Sequence, residues 1–106
     1  MGYYLGADVG GSKTDLVIID DNGTLLGKGK AGPGNPQGVG FEGLYNTLNH
    51  AMEQALKQAG ITPSQITGAG FGIGGYDWPS SLPKMLAVTD RLGMGGPAHI
   101  VNDAIL

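Results

Sequence analysis

Asp8, Gly10, Gly11, Ser12, Lys13 and Thr14 fall within one short stretch. An acid, two glycines, two hydroxyls and a cation at this spacing suit the chemistry of phosphate. Glycines can take φ > 0 and let another group approach the backbone closely. Successive N–H groups converging in a turn make an anion-binding nest. An acid at a strand end beside such a nest suits a phosphate-bound Mg²⁺, which takes one or two carboxylates and keeps several waters. Asp8 is therefore the candidate Mg²⁺-orienting residue, acting through water. Gly10, Gly11, Ser12, Lys13 and Thr14 are the candidate phosphate ligands. A solvated lysine is an equal reading of Lys13.

Two other phosphate patterns do not fit. A P-loop requires Gly, four residues, then Gly-Lys-Ser/Thr, and it opens a helix. Gly6 and Gly11 have that separation, but Ser12 follows Gly11 and Lys13 comes one place late. The residues after it, Thr14 to Ile19, are rich in β-branched types and read as a strand. Gly70-Phe71-Gly72-Ile73-Gly74-Gly75 formally fits G-x-G-x-x-G. No clear helix opens after it, and no Asp or Glu lies about 20 residues on, where a ribose-binding acid belongs.

The elements that must position these groups follow from the pattern. Tyr3 to Ala7 and Thr14 to Ile19 read as two strands joined by the glycine turn. Asp20-Asp21-Asn22-Gly23 reads as an Asn-Gly hairpin turn with its acids on a wet edge, and Thr24 to Ala31 as a third strand. Gly32-Pro33-Gly34-Asn35-Pro36 is a loop. Asn35 suits two roles, a cap of the next helix or an amide for a sugar hydroxyl. From Val39 to Ala59 the apolar residues recur at helical spacing, through Phe41, Leu44, Tyr45, Leu48, Met52, Ala55 and Leu56. Gly60 ends that helix. Thr62-Pro63-Ser64-Gln65 reads as a cap and one short turn, and Ile66 to Gly75 as a glycine-rich strand. Asp77 and Trp78 lie in a loop, where they are either sugar contacts or an ordinary loop acid and aromatic. Ser80 to Leu92 reads as a second helix, packed by Leu82, Met85, Leu86 and Leu92 and stopped by Gly93. Ala98 to Val101 reads as a short buried strand with His99 in the core or at an interface. It delivers Asn102 and Asp103 at its C-terminal end, where open α/β sheets bind ligands. Taken alone, that pair also fits a polar strand end capping a following helix. His50 is surface.

The 106 residues correspond to one domain or less. The chain is 41% hydrophobic and 14% charged, which is globular in kind. Its 21 glycines lie far above the average usage of about 7%, and we expect backbone approach to ligands to explain them. The net charge of −3, with scattered basic residues, excludes a nucleic-acid or membrane-surface stripe. There is no cysteine, hence no disulfide or thiolate nucleophile in this stretch. No apolar run approaches the ~20 residues of a membrane span, so a cytoplasmic location is expected.

The Asp8–Asp15 pattern, with a strand on each side, resembles the first phosphate motif of the sugar kinase, heat-shock chaperone and actin superfamily. Within it, the likeness is to N-acetylglucosamine kinases and the BadF/BadG/BcrA/BcrD ATPases. Ala31 to Pro36 resembles that family's sugar-contacting loop. Gly72 to Gly75 resembles the glycine strand end beside the sugar. Val101-Asn102-Asp103-Ala104 resembles the motif that holds the catalytic carboxylate. The resemblance implies an α/β, ribonuclease H-like (actin-like ATPase) N-terminal domain. Its mixed sheet has an antiparallel meander followed by parallel strands with crossover helices, here truncated. It also implies a second, adenosine-binding domain outside residues 1–106, so the isolated chain is expected to be inactive. The implied reaction is phosphorylation of an amino sugar by ATP with Mg²⁺. Asp103 is then the catalytic base, and Asn35, Gly75, Asp77, Asn102 and Asp103 contact the sugar. The expected partner is a small sugar, with no nucleic acid or membrane; a homodimer is left open. The alternatives are an ATPase activator of a reductase or dehydratase, and a non-catalytic module.

Overall fold

The computed structural model describes residues 2–34, 36–73 and 82–102. Eight elements follow in order: β1 (Tyr3–Val9), β2 (Thr14–Asp20), β3 (Leu25–Ala31), α1 (Pro36–Ala59), a 3₁₀ turn (Pro63–Gln65), β4 (Gly68–Ile73), α2 (Leu82–Asp90) and β5 (Ala98–Asn102). The five strands form one sheet in the order β3-β2-β1-β4-β5. β1 is antiparallel to β2, and β2 to β3. β4 runs parallel to both β1 and β5. The mixed α/β sheet, with its meander and two later parallel strands, is the expected architecture.

Alternation along the strands divides the sheet into two faces. Leu5, Val9, Leu16, Ile18, Ala69, Phe71, Ile73 and Ile100 are buried on one face. Leu44, Leu48, Ala51, Met52 and Ala55 of α1 and Met85 and Val88 of α2 close over them in a single cluster. Tyr4 and Val101, at 39% and 37% exposure, lie on the other, more open face. His99 is exposed there and helps line a shallow groove with Tyr4, Gly68, Gly70 and Pro97, so it is not a core residue. Leu86 is also exposed; Val88 packs the core in its place.

α1 lies directly on β3. Gly27 and Gly29 are the reason, since a Cβ at either would overlap the backbone carbonyl of Ala55 or Ala51. These glycines serve helix–strand contact, not ligand approach. Within α1, Gly40 leaves the helical region at φ 75° and ψ 176°, so a first turn precedes the break and the long amphipathic run follows it. Gly60 and Gly93 take positive φ after the two helices, as C-terminal glycines commonly do.

The β2–β3 turn departs from the expected Asn-Gly form. Only Gly23 has positive φ there, and its N–H donates to Asp20 O at 3.0 Å. The Asp20 carboxylate accepts from the N–H groups of Asn22 and Thr24 at 2.9 and 3.0 Å. Asp20 therefore shapes the turn with its side chain, a local bond for which Asp is well suited.

Candidate functional site

The turn between β1 and β2 is short. Val9 pairs with Thr14, and Gly10 N–H donates to Lys13 O at 2.9 Å. Gly11, Ser12 and Lys13 project from the sheet and are exposed. Among the described residues, none accepts from the N–H groups of Gly11 or Ser12. An exposed turn with free donors and a nearby cation can receive an anion. Lys13 Nζ lies 3.8 Å from Asp15 Oδ2, with both side chains well exposed.

Two expected ligands behave differently. Gly10 N–H is committed inside the turn. Thr14 is fully buried, and its hydroxyl donates to Gly32 O at 3.0 Å. The reason is pleat parity: Thr14 shares a face with Leu16 and Ile18, and that face is the core. In this structure the Thr14 hydroxyl is thus engaged with the 32–34 loop. Gly10 and Gly11 also do not adopt positive φ. At Gly10 the constraint is space, because a Cβ would lie 3.2 Å from Lys13 O.

Asp8 is exposed near the C-terminal end of β1 and lies directly opposite Asp15. Directly opposed residues of antiparallel strands share a face, and like charges so placed repel. Asp15 is a second carboxylate beside the turn that motif reading did not single out. Its position was accessible by arithmetic, since a turn closed by the 10–13 pair puts 9 opposite 14 and 8 opposite 15.

The Gly32-Pro33-Gly34 loop lies against this turn. Gly34 N–H donates to Gly10 O at 3.2 Å, and Thr47 Oγ1 of α1 donates to Pro33 O at 3.0 Å. A Cβ on Gly34 would stand 2.7 Å from Val9 Cγ1 and 3.2 Å from Thr14 Oγ1. The fold thus brings the candidate phosphate turn and the candidate sugar loop together. Asn35, Gly74, Gly75, Asp77, Trp78 and Asp103 lie outside the described residues. The backbone of Asn102 ends β5, where it pairs with Ile73, which in turn pairs with Val9. The ends of β1, β4 and β5 are therefore level, and two interstrand spacings put Asn102 roughly 10 Å from Val9.

Away from the turn, hydrogen bonds displace several pKa values. The Tyr4 phenol is raised by its hydrogen bond to Asp21. Asp21 is lowered, chiefly by the Gly2 N–H at 2.8 Å. Hydrogen bonding between Glu42 and Arg91 lowers the first and raises the second. No group of three or more His, Cys, Asp or Glu capable of holding a metal occurs among the described residues. None of the described helices is long and apolar enough to cross a membrane.

The sequence model of the BadF/BadG/BcrA/BcrD ATPase family matches residues 5–84, which include the turn, the 32–34 loop and β4. The chain belongs to the BadF/BadG/BcrA/BcrD ATPase family. Among curated relatives, this family member is 30% identical over 73 residues to the glucosamine kinase GspK of Vibrio cholerae, covering 69% of this chain and 24% of that protein. It therefore spans about a quarter of that relative's length. Among solved structures, a proposed N-acetylglucosamine kinase from Chromobacterium violaceum superposes with a TM-score of 0.69 at 20% identity, over 97% of this chain and 35% of that one. A reductive activator for a corrinoid, iron–sulfur protein gives a TM-score of 0.71 at 15% identity, over 95% of this chain and 23% of that one. The chain thus shares its fold with the corresponding parts of these two proteins.

Proposed function

We propose that the protein carrying this chain transfers the γ-phosphoryl group of ATP to a hydroxyl of an amino sugar, with N-acetylglucosamine as the first substrate to test. The observation that carries this reading is the contact between the turn at 10–13 and the loop at 32–34, beside the level ends of β1, β4 and β5. Phosphoryl transfer depends on positioning and charge stabilisation more than on covalent chemistry. An anion turn and an acceptor loop in direct contact meet the first demand. The similarity to a glucosamine kinase supports the amino sugar.

In this reading Gly11, Ser12 and Lys13 hold the phosphates through backbone donors and the ammonium. The Asp8 and Asp15 carboxylates offer hard oxygen ligands on one face, a donor set suited to Mg²⁺ and its waters. Bound Mg²⁺ would supply charge neutralisation at the phosphates. Asn35, Gly75, Asp77 and Asn102 orient the sugar, and Asp103 accepts the proton of the attacking hydroxyl. The adenosine is held by a second domain outside these 106 residues, and the isolated chain is inactive.

The likeness to a reductive activator favours a second reading, in which ATP hydrolysis drives electron delivery and no sugar is phosphorylated. ADP release by the intact protein with Mg-ATP separates the two. Release that depends on an amino sugar, and is lost in Asp103→Asn, supports the kinase. Release indifferent to sugars supports the activator.

A further inference from the structure

Thr14 is buried, and its hydroxyl donates to Gly32 O of the 32–34 loop. We propose that Thr14 is a positioning residue that fixes the sugar loop at a set distance from the phosphate turn. The proposal rests on the kinase reading and assigns a coupling between its two subsites.

The loop is held from three directions. Thr14 Oγ1, just after the turn, donates to Gly32 O at 3.0 Å. Gly10 O, at the start of the turn, accepts from Gly34 N–H at 3.2 Å. Thr47 Oγ1, on α1 beyond the Gly40 break, donates to Pro33 O at 3.0 Å. Both ends of the turn are thus tied to the loop, and the helix holds its far side. The fit is also steric. Gly34 is buried in a slot made by Val9 Cγ1, Thr47 Cγ2 and Thr14 Oγ1, at 2.7, 3.1 and 3.2 Å from where a Cβ would stand. With no side chain at Gly34 and a buried donor at Thr14, the loop has one seat. Displacing the turn displaces the loop, and the residue after Gly34 is Asn35, the candidate sugar ligand.

The test uses the intact protein with Thr14→Val, which keeps the shape and removes the donor, and Thr14→Ser, which keeps the donor. Gly34→Ala serves as a second disruption from the loop side. Removing one buried hydrogen-bond partner corresponds to about a tenfold effect. NMR amide exchange in the ligand-free protein should show Gly34 exchanging about tenfold faster in Thr14→Val than in wild type. Exchange at Ile18 and Phe71 should stay unchanged, and Thr14→Ser should restore Gly34. The KM for N-acetylglucosamine should rise about tenfold in Thr14→Val and Gly34→Ala with kcat little changed, as expected when uniform binding is lost. The KM for ATP should move less than twofold. Unchanged Gly34 exchange in Thr14→Val overturns the proposal. So does a uniform rise in core exchange with equal losses for ATP and sugar that Thr14→Ser does not rescue. If wild type phosphorylates no sugar, the kinase reading falls, and Gly34 exchange alone then decides the coupling.

Discussion

Gln54 of α1 occupies both backbone groups of Lys30 on the edge strand β3. Lys30 N–H donates to Gln54 Oε1 at 3.2 Å, and Gln54 Nε2 donates back to Lys30 O at 2.7 Å. Gln58, one helical turn on, does the same for Lys28 at 2.9 Å in both directions. An amide side chain carries a donor and an acceptor, so two glutamines can pair with an edge as a neighbouring strand would. Open edges invite pairing with another chain. The Gln54→Ala, Gln58→Ala double variant should lose about 1–3 kcal/mol, allowing for solvent replacing part of each bond. It should also associate with rising concentration. Urea denaturation and light scattering after size exclusion check both outcomes.

Gly29→Ala should cost at least about 2 kcal/mol, because overpacking against backbone has no flexible side chain to yield. The added Cβ would overlap the Ala51 carbonyl, and α1 would have to lift from β3. Gly70→Ala is the matched control, since nothing stands within 4 Å of its Cβ position. The difference in urea midpoint between the two variants reads this contact directly.

Glu42 and Arg91 join α1 to the end of α2 by two hydrogen bonds, at 2.8 and 3.2 Å, and Arg91 stacks 3.9 Å over the Tyr45 ring. Hydrogen bonding to Arg91 holds the Glu42 carboxyl below the ordinary carboxylate range. A depressed folded-state pKa adds stability that is complete above the unfolded value of about 4.3. That contribution is lost as pH falls through the folded value. The melting-temperature gap between wild type and Glu42→Gln should therefore be widest near neutral pH and close in acid. Added salt should narrow it, because the pair is exposed.

Asp8→Asn and Asp15→Asn probe the facing carboxylates. If they share the Mg²⁺ of an ATP complex, each variant should shift the Mg²⁺ dependence of turnover upward in the intact protein. Asp8→Asn should lower kcat on the order of 10²-fold, comparable to loss of one preorganised electrostatic group. Thermal stability should hold or rise, because like charges directly opposed are destabilising. Turnover as a function of Mg²⁺, with a melting curve for each variant, checks this.

The chain's local chemistry determined much by itself. Thr14 to Asp20 forms the strand that its β-branched residues favour, and Leu44, Leu48, Met52 and Ala55 bury the stripe that helical spacing requires. Gly60 and Gly93 follow the helices with the left-handed φ that glycine permits. The Asp8–Lys13 stretch was legible as a short turn between two strands because such turns depend on contiguous residues. Other roles depended on distant partners and came only with the tertiary structure. Gly27 and Gly29 look like weak strand residues until α1 settles on them. Gln54 and Gln58 look like surface polar groups until β3 is found to be an unpaired edge. Thr14 was assigned to phosphate because the motif places it in the turn, whereas the packed sheet turns its hydroxyl to Gly32. Spacing along the chain sets which groups can meet locally. Which side of a strand is buried, and what lies over it, depends on burying the most apolar surface across all elements at once.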